Sequence, residues 1–185
     1  MNKIVGTMTG LLVAVAFGTA AQAGVAAKFE LQSGGTIGKG RLQDATFIWT
    51  ATRDIEKTME SAILRVRDFA GQTLTFTFDI PVDIEYVRFW SLNVSSSSSI
   101  TFYDASGAIL PVGKTVTSSP DGVTGFSETV ENNAILFSGC PGKENFSAQI
   151  DIHPSVVRVS KIVIEVKKEG GLMDVRIGGT AKQVG

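Results

Sequence analysis

Along much of this chain apolar and polar residues alternate with a period of two. That spacing turns one face of a β-strand to a core and the other to water. In Leu74-Thr75-Phe76-Thr77-Phe78 the leucine and phenylalanines share one side and the threonines the other. Phe146, Ala148, Ile150 and Ile152 alternate with Ser147, Gln149, Asp151 and His153. Ile162, Ile164 and Val166 alternate with Val163, Glu165 and Lys167, and Met173, Val175 and Ile177 with Leu172, Asp174 and Arg176. Residues 28–32, 45–52, 85–94, 100–104 with 108–112, and 133–138 are strand-like without strict alternation.

Turn chemistry separates these runs. Asp104-Ala105-Ser106-Gly107 suits a hairpin connection, because glycine takes the left-handed backbone that such loops need. Pro120-Asp121-Gly122, Cys140-Pro141-Gly142 and Gly170-Gly171 break the chain elsewhere. Residues 95–99 are five serines, expected to form a flexible loop. From Arg53 to Phe69 the period changes: Ile55, Met59, Ala62, Ile63 and Val66 follow helical spacing. A short helix or irregular turn is therefore expected near residues 54–60, with a strand from about Ala62. The whole predicts an all-β fold, a β-sandwich or jelly roll of about nine or ten short antiparallel strands.

The N-terminus departs from this pattern. Lys3 precedes an apolar stretch from about Met8 to Phe17, and Ala21-Gln22-Ala23 follows in the small-x-small form that signal peptidase accepts. The apolar stretch is shorter than the roughly 20 residues of a spanning helix, and Gly10 and Gly18 interrupt it. Residues 1–23 are thus expected to be a cleavable signal peptide and residues 24–185 a single β-sandwich domain, secreted or periplasmic and not inserted in a membrane. About 160 residues suffice to bury a core. With 17 basic against 18 acidic residues, the chain lacks the basic excess of a nucleic-acid-binding protein. Cys140 is the sole cysteine, so no disulfide can form within one chain, and its turn-like setting points to an incidental thiol.

Two stretches carry a resemblance. Residues 71–110, GQTLTFTFDIPVDIEYVRFWSLNVSSSSSITFYDASGAIL, combine a strand ending in F-D-x-P-V, a second strand rich in Val, Phe and Trp, and a strand–turn–strand hairpin. Val159-Ser160-Lys161-Ile162-Val163-Ile164-Glu165, followed by Gly170-Gly171-Leu172-Met173-Asp174-Val175, is similar to a closing strand pair. Together they cover roughly a third of the chain after the leader and resemble the galactose-binding-like (discoidin-type) jelly roll of secreted bacterial proteins. That resemblance implies a carbohydrate-binding module, in which a structural ion is common. Fold alone does not assign function.

Candidate chemistry is sparse. The single histidine, His153, stands at a predicted strand end beside no evident nucleophile, and no Gly-x-Ser-x-Gly elbow is present. One histidine and one cysteine cannot supply a usual zinc site. Asp79, Asp83, Asp104, Asp121 and Asp174 fall at predicted strand ends or turns, where a structural calcium ion would find oxygen ligands. No loop of calcium-binding form accompanies them, and aspartates in turns ordinarily bond their own backbone, so no cofactor is expected. The scattered carboxylates show no pairing of the kind that glycoside hydrolysis needs.

Sugar rings stack on aromatic faces with polar groups alongside. Alternation puts Tyr86, Arg88 and Trp90 on one face of a strand, a candidate ligand platform with Asn93 and Asp104 nearby. The structural alternative buries Trp90 and pairs Arg88 with a carboxylate, and the usual burial of tryptophan favours it. The expectation is a non-catalytic binding module for carbohydrate or another cell-surface component. The alternative is a structural, adhesion or matrix-assembly protein of the bacterial exterior.

Overall fold

A computed structural model describes residues 24–59, 61–67, 70–90, 97–113, 115–118, 127–138, 150–168 and 172–181. The proposed leader, Asn93, Asp121 and Cys140 lie outside them. Fourteen strands run in chain order: β1 (Val25–Ala26), β2 (Lys28–Phe29), β3 (Ile37–Leu42), β4 (Ala45–Ala51), β5 (Lys57–Met59), β6 (Ile63–Arg67), β7 (Thr73–Trp90), β8 (Ser97–Tyr103), β9 (Val116–Ser118), β10 (Ser127–Glu131), β11 (Ala134–Ser138), β12 (Ile150–His153), β13 (Val156–Lys168) and β14 (Leu172–Ala181). All their pairings are antiparallel and belong to one sheet that does not close on itself, an arrangement consistent with a β-sandwich.

The sheet turns over on itself along β7. Residues Leu74–Phe78 of β7 pair with β4 on one side, and Thr73–Thr77 with β13 on the other. Beyond Pro81 β4 gives way to β14, which pairs with Val82–Trp90, while β13 still meets Val82 and Ile84 before β12 takes Val87–Phe89. Asp79, Ile80 and Pro81 belong to no ladder. Proline lacks the N–H a ladder would use, so the chain bends at the residue least able to continue one sheet. On the opposite strand β13 breaks register twice, between Val156 and Lys161, and Arg158 takes a φ of 60°. Such irregularities let a ribbon bend sharply. Two layers result, β2-β3-β4-β7-β13-β8-β11-β10 and β5-β6-β14-β7-β12-β9, joined through the bent ribbon.

Between the layers lies one core of alternating inward residues, among them Leu42, Phe47, Trp49, Leu64, Leu74, Phe76, Phe89, Phe102, Ile164 and Val175. Phe89 on β7 beyond the bend stacks against Phe137 on β11, ring centroids 4.4 Å apart, so the two layers face each other. Two of the three inward positions on β3 are glycines, the third being Leu42. A side chain on Gly38 would meet the Trp49 ring at 2.5 Å, and one on Gly40 would overlap the Phe47 ring. Each glycine sits directly opposite its aromatic partner in the β3–β4 register. The rings thereby cover a backbone that offers no side chain of its own.

The segment after Gly24 stitches one side of the sandwich. Ala27 N–H donates to Ile177 O at 2.8 Å, Phe29 N–H to Ser61 O at 2.5 Å and Glu30 N–H to Lys39 O at 3.0 Å, so neighbouring residues bond both layers. These same bonds explain a correction to the sequence expectation. No helix occurs among the described residues; Ile55 is buried, Ile55 N–H donates to Gly35 O, and Thr58 N–H donates to Gln32 O at 2.9 Å. Lys57–Met59 is the strand β5, because its backbone pairs with Ile63–Arg65 of β6 on one side and meets Gln32 and Ser33 on the other. Strands are also more numerous and less uniformly short than expected, since β7 is 18 residues long and β13 is 13. The serine run is corrected in part: Ser97–Ser99 open β8, with Ser98 and Ser99 buried opposite Phe137 and Leu136.

The Gly40–Phe47 contact gives a test. Gly40→Ala is expected to lower unfolding stability by about 1–3 kcal/mol through overpacking. Gly113→Ala, with open space around the new methyl group, is expected to stay within about 0.5 kcal/mol of the parent. Urea denaturation measures both.

Candidate functional site

Two surfaces compete as the site. The first is the outer face of the second layer, where alternation brings Tyr86 and Arg88 together. The inward positions Val82 and Ile84 give way to Val87 and Phe89, leaving Glu85 and Tyr86 as consecutive half-buried residues. This slip coincides with a bulge: Tyr86 pairs with Gly178 and Ile84 with Gly179, so Glu85 is the extra residue. Arg88 makes a two-pronged ion pair with Asp151 on β12, Nε to Oδ1 at 2.5 Å and Nη2 to Oδ2 at 2.6 Å. Arg65 holds Asp174 in the same way on the β6–β14 ladder, at 2.7 and 2.6 Å. Both carboxylates are buried on a sheet face, where an unpaired charge would be costly. Hydrogen bonding to its carboxylate holds each guanidinium further toward the charged form.

The aromatic residue of this face is also engaged. A side chain on Gly178 would overlap the Tyr86 ring, Arg88 Cζ lies 5.3 Å from the ring centroid, and the His153 ring stands 6.4 Å away. Burial raises the Tyr86 phenol above its ordinary pKa, with Arg176 and Arg88 acting in the opposite sense. Trp90 contributes its backbone to the ladder opposite Asp174; its side chain, like Asn93, lies outside the described structure. Asp104 is elsewhere, in the turn after β8. Its Oδ1 accepts from Ser106 N–H, Ser106 Oγ–H and Ala108 N–H at 2.7–2.9 Å, which lowers its pKa. Asp104 therefore joins Asp79 and Lys161 around a small hollow, and not Arg88.

Of the other calcium candidates, Asp121 lies outside the described residues, and Asp79 and Asp83, like Asp174, are held by the protein. Asp79 accepts from Thr46 N–H, Thr46 Oγ–H and Ile80 N–H, and Asp83 from Arg158 N–H. Among the described residues no three His, Cys, Asp or Glu side chains gather as a metal site would require. Nor is any helix among them long and apolar enough to cross a membrane.

The second surface is a groove of about 680 Å³ at the end of the first layer. One row of residues crosses four strands here: Phe29 opposite Gly40, Gly40 opposite Phe47, and Phe47 opposite Phe78. Phe29 and Phe47 meet edge to face at 5.5 Å, and Phe47 and Phe78 lie 5.3 Å apart, but all three rings are buried in the core and brace the groove from behind; the apolar side chain exposed in it is Ile48. Exposed Lys28, Lys39 and Arg41 stand at the rim, with Glu30 and Asp79. Lys28 and Arg41 are directly cross-strand, where like charges repel. Among the described residues none of these three cations pairs with a carboxylate. A cavity of this size, with an exposed apolar side chain and several polar groups converging on it, has the general form of a ligand site. Sequence alternation identifies the phenylalanines as inward, but only the β2–β3–β4–β7 register brings them and the bases together.

Compared with family models, curated proteins and solved structures, the chain matches none.

The ion pairs on the first surface make a measurable claim. Arg88→Ala leaves Asp151 buried without its main partner and is expected to cost on the order of 3 kcal/mol. The double variant Arg88→Met/Asp151→Leu is expected to recover most of that loss. Chemical denaturation of the single and double variants decides it.

Proposed function

We propose that this chain is an exported, non-catalytic binding module, and that its ligand is a carbohydrate carrying acidic groups, such as a uronate-containing surface glycan. The observation carrying this reading is the groove, in which three bases without carboxylate partners among the described residues stand around the exposed Ile48. A sugar ring has an apolar face to lay against Ile48, and its carboxylate would relieve the repulsion between Lys28 and Arg41. Arginine suits such a carboxylate because its planar fork bonds both oxygens. Export is supported by the sequence at 1–23, and the two-layered all-β fold is compatible with the galactose-binding-like resemblance.

Titration calorimetry with acidic and neutral oligosaccharides tests the reading. Acidic chains should bind, with affinity falling as salt screens the rim. The double variant Lys28→Ala/Arg41→Ala should bind at least about tenfold more weakly, a loss near 1.4 kcal/mol, with an unchanged melting temperature. Equal binding by the variant, or binding of anionic detergent but of no acidic glycan, would overturn it.

A second reading, a structural or assembly protein, is favoured by the open sheet edges. Among the described residues strand β10 pairs with β11 alone, and β9 with β12 alone. Such edges can accept a strand from a neighbour. Sedimentation at rising concentration should show a monomer if the chain acts as a single module, and concentration-dependent growth if it assembles.

A further inference from the structure

The bulge on β7 aims one carboxylate at the residue where the proposed leader ends. Because Glu85 is the extra residue between Ile84 and Tyr86, its side chain leaves the regular alternation, as bulges commonly arrange. A side chain added to Gly24 would lie 2.6 Å from Glu85 Oε2 and 2.7 Å from Cδ, with Gly179 N at 3.0 Å. A side chain on Gly24 would have to push the Glu85 carboxylate aside, so the two residues lie close together. The next residues, Val25 and Ala26, pair with Gly179 and Gly178 on β14. Glu85 has no ion pair with a described residue. In sequence, Gly24 directly follows Ala21-Gln22-Ala23, the form that signal peptidase accepts.

We infer that Glu85 is a receiving site for the α-ammonium group created when the Ala23–Gly24 peptide bond is cut. Hydrolysis of that bond takes up one water and leaves a carboxylate on Ala23 and an amine on Gly24, which is protonated at neutral pH given an ordinary pKa near 8. Before cleavage the same nitrogen is a neutral amide. Removal of the leader thus adds a positive charge beside Glu85 and ties β1 to the bulge where β14 and β7 meet. The N-terminal segment bonds both layers of the sandwich, so fixing its first residue secures the seam that follows. Maturation is coupled in this way to completion of the fold.

This inference depends on the export part of the proposed function and is independent of the ligand. Mass spectrometry of the exported protein should give Gly24 as the first residue; any other terminus overturns it. Native-state hydrogen exchange then compares the exported protein with the same protein acetylated on its terminal amine. The amide of Ala27, bonded to Ile177 O, should exchange about threefold faster after acetylation, the scale of a partly exposed ion pair. In Glu85→Gln, acetylation should change nothing further. Equal exchange in the free and acetylated parent, or an acetylation effect that persists in Glu85→Gln, would overturn the pairing. Loss of glycan binding with the exchange pattern intact would remove only the ligand assignment.

Discussion

The two layers are held in register by a single bent ribbon, β7 against β12 and β13. Before the bend β7 lies between β4 and β13, and after it between β14 on one side and, in turn, β13 at Val82 and Ile84 and β12 at Val87–Phe89 on the other. Asp79, Ile80 and Pro81 stand between the two sets without ladder partners. A strand that ran straight would leave one half of its apolar positions facing water. The bend brings both halves to one core, and the hydrophobic effect then closes the layers on each other.

Placing the bend there also decides where chemistry can reside. Before it, the β2–β3–β4–β7 row ends in Phe78 with no β13 partner, and the groove opens beside the rim bases. Beyond it, β7 carries the slip at Glu85 that turns Glu85 and Tyr86 to the same side. The two surfaces are served by different means. On the outer face of the second layer, guanidinium and carboxylate groups satisfy each other at close range and fix strand register. At the groove three bases are left without carboxylate partners among the described residues, beside the exposed Ile48, the condition in which an added anionic ligand has most to contribute.

Glycines have a matching role at three ladder positions. Gly38, Gly40 and Gly178 each lie opposite an aromatic residue whose ring occupies the space a side chain would fill. Two of these pairs build the core and the groove, and the third seats Tyr86. The small residue is there for close approach to a ring, and not for an unusual backbone angle.

Much of the fold was legible in the sequence because a half-buried strand writes its burial as alternation. Leu74 to Phe78, Ile162 to Val166 and Met173 to Ile177 each fall in a strand with those apolar residues inward. The Asp104 turn was equally legible, since its hydrogen bonds are local. What alternation could not show was that residues 73–90 form one strand, because a change of partners leaves no mark on residue type. Helical spacing around Ile55 and Met59 misled for the same reason: its backbone bonds go to Gly35, Gln32 and Arg65. The shared face of Tyr86 and Arg88 followed from period two, whereas the partnership of Arg88 with Asp151, 63 residues away, required the folded ribbon. The groove lay furthest from reach, since Phe29, Phe47 and Phe78 read only as core residues. By itself the sequence determined which residues turn inward, and it carries the pattern from which an export signal is proposed. Tertiary structure alone decided which distant charges are neutralised and which are left at a groove, because strand register is fixed by contacts between residues far apart in the chain.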